Sequence, residues 1–491
     1  MSRLSQTIGF SLVLALGAVD ARAAAPDRSK PPEASALKPF TITQPTVFTL
    51  KNGLTVWHVA RKRAPLVDVH AVIDAGPLLD PADRPGLAKW TADLLTEGSG
   101  GMSAVGFSDA VQSLGAEVAS TTDLDNAWAS LHVTSARFAP ALKLFAQALT
   151  RPDFADAEWA RVRGQLFGEM MYQSQEPVEL AQLAAQRTNW GADHRLGTAI
   201  GGTPKALVKA TTAELKAFHA AHYRPDTTTL IVVGDIEQAA LKKLLEAELG
   251  AWSATGPAPA APSLRGPLAR SKRTLTIVQV PDAPQTVLRV AMPAPAGTTL
   301  FTADEDVMNT LLGASFTSRL NSNLREAHGY SYGAGSRVSV NRAGAIFMVM
   351  TSVNAPTTAP ALSEIMSELE RIRTPATDEE TVRARNVAAL TVPSAFDSGR
   401  ATARQWATFA AQRLDRARLQ QFVDGALKVD VKALQGAAVR LVRPDEAAVI
   451  AVGDLAQHGK GIPGIERAVA LTVDDLLPGL PEAAAALGGE G

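Results

Sequence analysis

The stretch RPDTTTLIVVGD at residues 224–235 recurs as RPDEAAVIAVGD at residues 443–454. Each copy places an Arg-Pro-Asp turn before an apolar run that ends at Gly-Asp, and the spacing inside the two copies is the same. A short apolar run between turn residues is typical of a buried strand. The recurrence of such a unit indicates that the chain is built from two related halves.

A second repeat marks the start of each half. Residues 54–59 (LTVWHV) correspond to residues 275–280 (LTIVQV). Each run is followed by a polar turn and another β-rich run, at residues 67–73 and 287–291. We expect the two strands at the start of each half to form a hairpin-like pair.

Helical periodicity follows the first strands, at residues 142–149 and 157–172 of the first half. Strand runs interrupted by helix runs predict the α+β class, with helices packed on one face of a mostly antiparallel sheet in each half. The two homologous halves would then face each other like cupped hands and form half of a clamshell.

Composition suggests the boundaries of the halves. Residues 254–273 are dense in Pro, Ala and Gly without an apolar period, which is typical of an exposed interdomain linker. The linker separates a first domain at residues 44–253 from a second at residues 274–476. We expect an extended segment at residues 24–43 and a disordered tail at residues 477–491, which are rich in Gly, Ala and Glu.

Length and charge limit the classes of function. A chain of 491 residues is too long for a single core, so more than one domain is expected. The net charge is -1, from 48 basic and 49 acidic residues, and gives no electrostatic reason to expect a nucleic-acid partner. The absence of cysteine excludes disulfides and a thiol-attached lipid anchor.

The N-terminus has the order of a secretory signal peptide. Arg3 precedes an apolar run from Ile8 to Val19, and Ala21-Arg22-Ala23 follows as a small-x-small cleavage site. We expect a signal peptide at residues 1–23, with cleavage after Ala23 or Ala25. The apolar run is shorter than the roughly 20 residues that a spanning helix needs. The sequence therefore predicts a soluble periplasmic protein without a membrane span, if the host is a Gram-negative bacterium.

Residues 86–99 (GLAKWTADLLTEGS) resemble the stretch that carries the inverted zinc motif His-x-x-Glu-His in the pitrilysin/insulinase peptidases. That chemistry needs two imidazoles one helical turn apart and a Glu that takes a proton from the metal-bound water. Here Lys89, Ala92 and Asp93 hold the three positions. A protonated ammonium cannot bind zinc, and an alanine cannot act as a base. The residues that surround the zinc motif are therefore present, but the zinc ligands are not.

The resemblance implies a third ligand position, which an ungapped count places at Glu169. One carboxylate makes a poor metal site, so we expect no metal in this chain. Lys89 would instead neutralise Asp93, four residues away, together with Glu169; the alternative is a solvated ion pair of Lys89 and Asp93. His219 and His222 have helical spacing but no carboxylate between them, and are expected to be structural or solvated.

Residues 315–336 (SFTSRLNSNLREAHGYSYGAGS) are similar to a C-terminal motif of the same family. In that motif an Arg, and a Tyr seven positions later, reach across the chamber to the zinc site of the N-terminal domain. Those residues are Arg325 and Tyr332. The resemblance implies that the Tyr hydroxyl donates to the developing oxyanion and that the Arg holds the substrate backbone. If the family resemblance is set aside, the alternative is that Arg325 is a solvated helix residue and that Tyr332 is a sheet residue that packs its ring.

The resemblance runs from about Phe48 to Asp454 and implies a non-catalytic subunit of a heteromeric periplasmic zinc metalloendopeptidase that degrades peptides. A homologous subunit with His-x-x-Glu-His would supply zinc and the base, and this chain would supply Arg325 and Tyr332. The peptide would add a strand to a sheet edge of the catalytic subunit. Two alternatives remain, a purely structural protein of the same fold and a self-contained peptidase with unorthodox ligands.

Overall fold

The computed structural model describes residues 40–259 and 263–487. The expected signal peptide, most of the N-terminal segment, three residues of the linker and the last four residues of the tail lie outside the described residues. Both halves belong to one compact unit that begins at Thr41. In the described part of the chain, no helix combines the length and the apolar character needed to span a membrane.

The first half contains one six-stranded sheet. Its strands are β1 (Thr46–Thr49), β2 (Thr55–Ala60), β3 (Leu66–Ile73), β4 (Glu117–Thr122), β5 (Ala127–Thr134) and β6 (Thr228–Gly234). They lie in the order β1-β2-β6-β3-β5-β4, and all neighbours are antiparallel except β2 and β6. Alternate residues of β3, from Val67 to Ile73, are fully buried in the core of this half, as the period of two in a strand requires.

Eight α-helices belong to the described first half: α1 (Leu87–Asp93), α2 (Ala104–Ser113), α3 (Phe138–Thr150), α4 (Asp156–Gln173), α5 (Pro177–Trp190), α6 (Pro204–Lys209), α7 (Thr212–His222) and α8 (Gln238–Leu249). The two runs of helical periodicity lie inside α3 and α4. Leu142 and Phe145 of α3 are fully buried against the sheet because residues three apart share a helical face.

The second half repeats this topology. Its strands are β7 (Thr274–Gln279), β8 (Gln285–Pro293), β9 (Ser331–Asn341), β10 (Gly344–Asn354), β11 (Ala448–Gly453) and β12 (Val469–Leu471), in the order β12-β7-β11-β8-β10-β9. Strands β2 to β6 therefore correspond one by one to β7 to β11. The predicted fold class is confirmed: two homologous α+β halves, each with helices on a mostly antiparallel sheet.

Ten α-helices belong to the described second half: α9 (Ala303–Asn309), α10 (Arg319–Asn321), α11 (Thr358–Arg371), α12 (Asp378–Ser394), α13 (Gly399–Ala411), α14 (Ala417–Ala426), α15 (Val431–Leu441), α16 (Leu455–His458), α17 (Val473–Leu476) and α18 (Leu480–Leu487). Two π-helical turns, Thr310–Ala314 and Ser322–Ala327, flank α10. The second turn carries Arg325.

The expected hairpin-like pairing of β2 with β3 is wrong, because β6 lies between these strands and pairs with both. Residues 230–233 of β6 are all fully buried, so this strand needs neighbours on both edges and cover on both faces. In the second half β11 lies in the same way between β7 and β8. The Arg-Pro-Asp…Gly-Asp repeat thus marks a central strand of each sheet.

The expected disorder of residues 477–491 is also wrong for residues 480–487, which form α18. Alanine and leucine are strong helix formers. Ala483 is fully buried, and Leu480, Ala484 and Leu487 pack on the core of the first half. The alanine-rich composition therefore reflects a docked helix in this part of the tail.

One helix of each half packs on the sheet of the other half. Helix α5 of the first half packs on β7, β8 and β11, and its Leu180 and Ala184 share a core with Val287 and Ile450 of the second sheet. Reciprocally, α13 of the second half packs on β3 and β6. The exchange places apolar cover on the sheet face that each half leaves open, and it joins the halves through buried area.

The approach of α13 to the first sheet depends on a glycine. Gly399 begins α13, and a Cβ there would lie 2.6 Å from a carboxylate oxygen of Asp68. Asp68 is buried and also bonds to Nδ1 of His132 at 2.6 Å. A carboxylate near the first turn of a helix is favoured by the helix dipole. Glycine at position 399 therefore allows the first turn of α13 to approach the buried carboxylate of Asp68.

Candidate functional site

Helix α1, which carries the zinc-motif positions, begins at a buried carboxylate. The two oxygens of Asp80 accept hydrogen bonds from the backbone N–H groups of Gly86 and Ala88, both at 2.7 Å. Gly86 has φ 107°, and a Cβ there would lie 2.5 Å from the ring of Trp90. Trp90 is fully buried and donates to the carbonyl of Gly201 at 2.9 Å. These contacts fix the helix so that Lys89 and Asp93 share its other face.

The Lys89 ammonium donates to both carboxylate oxygens of Asp93, at 2.6 Å for Oδ2. The two side chains are 27% and 18% exposed, so the pair lies partly within the protein. Burial raises the pKa of Asp93, Lys89 opposes that shift, and Glu169 and Glu97 add to it. Ala92 is fully buried, and its carbonyl accepts a hydrogen bond from the Ser120 hydroxyl of β4 at 2.6 Å.

Glu169 lies close enough to Asp93 to affect its pKa, but it is exposed on α4. Within the described residues, Lys89 forms an ion pair with Asp93 and not with Glu169. The expected neutralisation of two carboxylates by Lys89 is therefore confirmed for Asp93 and wrong for Glu169. The single charge of Lys89 lies with Asp93, the more buried of the two carboxylates.

Several neighbours of this site carry no signal in the sequence. Arg161 of α4 donates to Glu97, 64 positions away along the chain, and to Glu158. The hydroxyl of Tyr223 is buried without a hydrogen-bond partner among the described residues. Burial, and then the charge of Asp93, raise the pKa of Tyr223. These contacts depend on how α1, α4 and α7 pack, which local spacing does not reveal.

The paired histidines have structural surroundings. Nε2 of His219 lies 3.0 Å from the carbonyl of Leu149, and its ring stacks on Tyr223 with centroids 4.5 Å apart. The ring of His222 packs on Phe218 at 4.4 Å. Burial lowers the pKa of His219 to about 4, so it is neutral near pH 7. Both rings serve packing, as their spacing at the end of α7 predicts.

The side chains at the motif positions do not fit zinc. The Lys89 ammonium is committed to Asp93, and the alanine methyl at position 92 offers neither a ligand nor a base. No group of three or more His, Cys, Asp or Glu residues in the described ranges is arranged to hold a metal ion. A charged hydrogen bond takes the place of the motif's ligands in α1.

Replacing Lys89 with Met tests this ion pair through its pH dependence. The change removes the interaction that lowers the pKa of Asp93, so the carboxylate becomes harder to ionise in the folded state. A folded-state pKa above the unfolded value means that stability falls as pH rises through that interval. We expect the variant to lose about 1–2 kcal/mol of unfolding free energy near pH 7, and less near pH 4, because the loss shrinks as Asp93 takes up a proton. Urea unfolding at both pH values measures the difference.

The control is Lys62→Met, because Lys62 pairs with Glu237 where both side chains are more than two-thirds exposed. An exposed pair contributes little, so this change should have a small effect at either pH. An equal loss at both pH values for Lys89→Met would show that packing of the lysine stem, and not the charge of Asp93, is what the variant disturbs.

Arg325 and Tyr332 lie together in the second half. The Arg325 guanidinium donates to the Tyr332 carbonyl at 3.4 Å, and it stacks over the Phe316 ring at 4.8 Å from the centroid. It also pairs with Glu326 at 3.1 Å. The π-helical turn that carries Arg325 is of a kind frequent at functional sites. These contacts hold the guanidinium beside the start of β9.

The Tyr332 side chain is 89% exposed. Its hydroxyl has no hydrogen-bond partner in the part of the chain that the structure describes. Tyr332 is therefore not a sheet residue that packs its ring. Phe316 is also largely exposed, so one Arg and two aromatic rings form an open patch. Such a patch offers a guanidinium and a hydroxyl to an external group.

Two family models match the chain. The model described as "Insulinase (Peptidase family M16)" matches residues 56–203, which include Lys89 and Asp93. The model described as "Peptidase M16 inactive domain" matches residues 209–388, which include Arg325 and Tyr332. Together the two matches cover more than half of the 491 residues.

Curated relatives include an uncharacterized zinc protease of Mycobacterium bovis, which is 24% identical over 61% of this chain and 68% of that protein. An uncharacterized zinc protease of Mycobacterium leprae is 23% identical over 60% of this chain and 65% of that protein.

Solved structures have the same architecture. The M16 inactive domain from Pseudomonas fluorescens is 26% identical with a TM-score of 0.77, over 83% of this chain and 98% of that chain. A protease from Helicobacter pylori is 19% identical with a TM-score of 0.77, over 83% and 99%; at that identity the likeness concerns the fold alone. The chain therefore belongs to the insulinase (M16) peptidase family, as a member that lacks the zinc-motif residues.

Proposed function

We propose that this chain is the non-catalytic subunit of a heteromeric periplasmic zinc metalloendopeptidase that degrades peptides. The observation that carries the proposal is the combination of a motif frame without metal ligands and an exposed Arg325–Tyr332 pair. A side chain as exposed as Tyr332 adds little to the stability of its own chain. Its functional use is therefore with another molecule.

Each side would supply what the other lacks. A homologous partner with His-x-x-Glu-His would bring zinc and the general base. From this chain, the Tyr332 hydroxyl would donate to the oxyanion that develops on the scissile carbonyl. The Arg325 guanidinium, held beside Tyr332 by Phe316, would bind the substrate backbone. Both groups are donors directed at negative charge.

Export and partner choice rest on the sequence. The signal-peptide pattern expected at residues 1–23 supports a periplasmic location. The near-zero net charge supports recognition by shape and hydrogen bonding in preference to charge. Peptide substrates would be selected by whether they fit between the subunits and pair with a strand edge of the partner.

Metal analysis and reconstitution test the proposal. The purified mature chain should bind no stoichiometric zinc and cleave no peptide, because Lys89, Ala92 and Asp93 remove two ligands and the base. Mixing it with the product of a neighbouring gene that encodes an exported His-x-x-Glu-His protein should give peptidase activity that requires both chains. Elemental analysis and a quenched-fluorescence peptide assay measure the two results.

A contrary result would be about one zinc per chain, lost on Glu169→Ala, which would favour a self-contained peptidase. The second contrary result is an active partner whose rate does not change when this chain is added. That outcome would favour a purely structural protein of the same fold.

A further inference from the structure

A row of charged side chains crosses three strands of the first sheet. Asp68 of β3 lies opposite His132 of β5, and His132 lies opposite Glu117 of β4. Side chains in register on antiparallel neighbours share one face of the sheet. Asp68 meets Gly399 of α13 on this face, so the row lies under α13.

The charges of this first row have partners within the chain. Arg400, in the first turn of α13, donates to Glu117 at 2.6 Å and lies 3.8 Å from Asp68. Asp68 also bonds to His132 at 2.6 Å. One arginine of the helix therefore lies beside two carboxylates of the sheet.

The next row on the same face has no acid. It consists of His70, Ser130 and Ala119, each two residues further along its strand. Arg404 follows Arg400 by one helical turn and lies close enough to His70 to affect its pKa. Within the described residues, neither the Arg404 guanidinium nor the His70 ring has a hydrogen-bond or ion-pair partner. The second arginine thus lacks the carboxylates that the first one has.

The electrostatic field at this second row is positive. Burial, and then Arg404 and Arg400, lower the pKa of His70 to about 4. The imidazole is therefore neutral near pH 7. The two arginines that disfavour a positive charge on His70 favour a negative charge at the same place.

A cavity of about 410 Å³ lies over the second row, and its lining includes His70, Ser130, Ala119, Arg404 and Trp128. Ala119 and Arg404 are exposed, and the other three side chains are partly exposed. Strand β4 ends the sheet, so the cavity lies at an edge that another molecule can reach. Its volume is within the range of roughly 300–1,000 Å³ that is usual for ligand pockets.

One carboxylate, that of Asp123, also lines the cavity. It accepts hydrogen bonds from the backbone N–H groups of Asp125 and Asn126, at 2.8 and 2.7 Å. Asp123 is four residues beyond Ala119, roughly 13 Å along an extended chain. This carboxylate therefore stabilises the turn after β4 and forms no ion pair with Arg404.

We propose that the cavity binds a carboxylate of the peptide substrate, with Arg404 as its cationic partner and Trp128 beside the apolar part of the peptide. The carboxylate belongs to an acidic side chain or to the free C-terminus. It takes the place at the second row that Glu117 has at the first. The inference rests on the proposed function for the nature of the substrate, and it adds a preference for peptide carboxylates.

Three short peptides of alanine and valine, each with a neutral fluorophore at the N-terminus, test this preference. The first has one glutamate and an amidated C-terminus, the second has glutamine and a free C-terminus, and the third has glutamine and an amidated C-terminus. The purified mature chain is titrated without a partner, and fluorescence anisotropy measures binding. At least one carboxylate peptide should bind at least about 10-fold more tightly than the third peptide. Which of the two does so identifies the source of the carboxylate.

Variants at the second row locate the binding. Arg404→Gln should abolish the preference, so that the three peptides bind alike. Ala119→Glu should do the same, because it supplies an acid to Arg404 from β4, as Glu117 does for Arg400. Ala119→Gln has the same size without the charge and should keep the preference. Both positions are exposed, so circular dichroism and thermal unfolding should not change.

Arg383→Gln is the control for net charge. Arg383 of α12 is exposed and forms no ion pair with the described residues, so its replacement should leave the preference intact. Equal binding of the three peptides to the native chain would overturn the proposal, as would a preference that survives Arg404→Gln. Binding of acetate without any difference among the peptides would assign the cavity to a small anion instead.

The titration separates this inference from the proposed function, because it uses the chain without a partner. A carboxylate preference without reconstituted peptidase activity would retain the binding site and reject the catalytic partnership. Reconstituted activity without the preference would retain the partnership and reject the site.

Discussion

Replacing Tyr332 with Phe is expected to lower the turnover of the reconstituted peptidase by a factor on the order of 10². The change removes one hydroxyl and keeps the ring. That hydroxyl has no partner among the described residues, and the side chain is 89% exposed, so folding should not change. A donor that meets the oxyanion only in the transition state lowers kcat and kcat/KM together. Steady-state kinetics of the two-subunit complex measure both constants.

Tyr330→Phe is the matched control. It makes the same chemical change two residues away, at a ring stacked on His328 with centroids 5.0 Å apart. We expect it to leave turnover unchanged, and both variants must co-purify with the zinc-bearing partner in normal yield. If Tyr332→Phe assembles normally and turns over like the native complex, the structural-subunit alternative is favoured.

Arg325→Ala extends the same prediction to substrate binding. A guanidinium that contacts the peptide before and during the reaction should, when removed, raise KM and lower kcat. Phe316→Leu keeps the guanidinium but removes the ring beneath it, so its effect should be smaller and in the same direction. A fall in kcat/KM for Arg325→Ala without any loss of partner binding would separate a role in the active site from one in assembly.

The sequence predicts much of the fold because its strongest signals are local. The Arg-Pro-Asp…Gly-Asp repeat and the apolar runs at each start identify corresponding strands, and each run falls within or beside a strand of the structure. The order of the strands in each sheet is not predicted by such local signals, because it depends on pairing between distant segments. The insertion of β6 between β2 and β3 follows from burial on both of its faces, which a run of four apolar residues does not reveal.

The contacts of the candidate site also fall into local ones, which the sequence predicts, and contacts between separate elements, which it does not. The i,i+4 spacing of Lys89 and Asp93 predicts their ion pair, because both lie on one helix. The exposed position of Glu169 and the pairing of Arg161 with Glu97 depend on the packing of α4 against α1. Likewise, α13 reaches the first sheet from the other half of the chain. Contacts between separate elements need three-dimensional structure.

Arg195→Ala is expected to destabilise the chain by about 3–5 kcal/mol. Asp80 is fully buried in its side chain, and Arg195 donates to its carboxylate at 2.7 and 2.9 Å. Removal of the arginine leaves a buried charge that retains only the two backbone donors of α1. Burial already raises the pKa of Asp80, and Arg195 opposes the shift. Chemical unfolding near pH 7 measures the loss.

The sign of the pH dependence distinguishes this mechanism from a simple loss of packing. Without Arg195, the folded-state pKa of Asp80 rises further, so stability declines as pH rises above the ordinary range of an aspartate. The defect should therefore shrink near pH 4, and Asp80→Asn in the same chain should recover part of it near pH 7.

Arg84→Ala is the control, since its pair with Glu214 is 24% and 32% exposed and should contribute at most about 1 kcal/mol. Equal losses for Arg195→Ala and Arg84→Ala would contradict the account of α1 as a helix anchored on a buried ion pair.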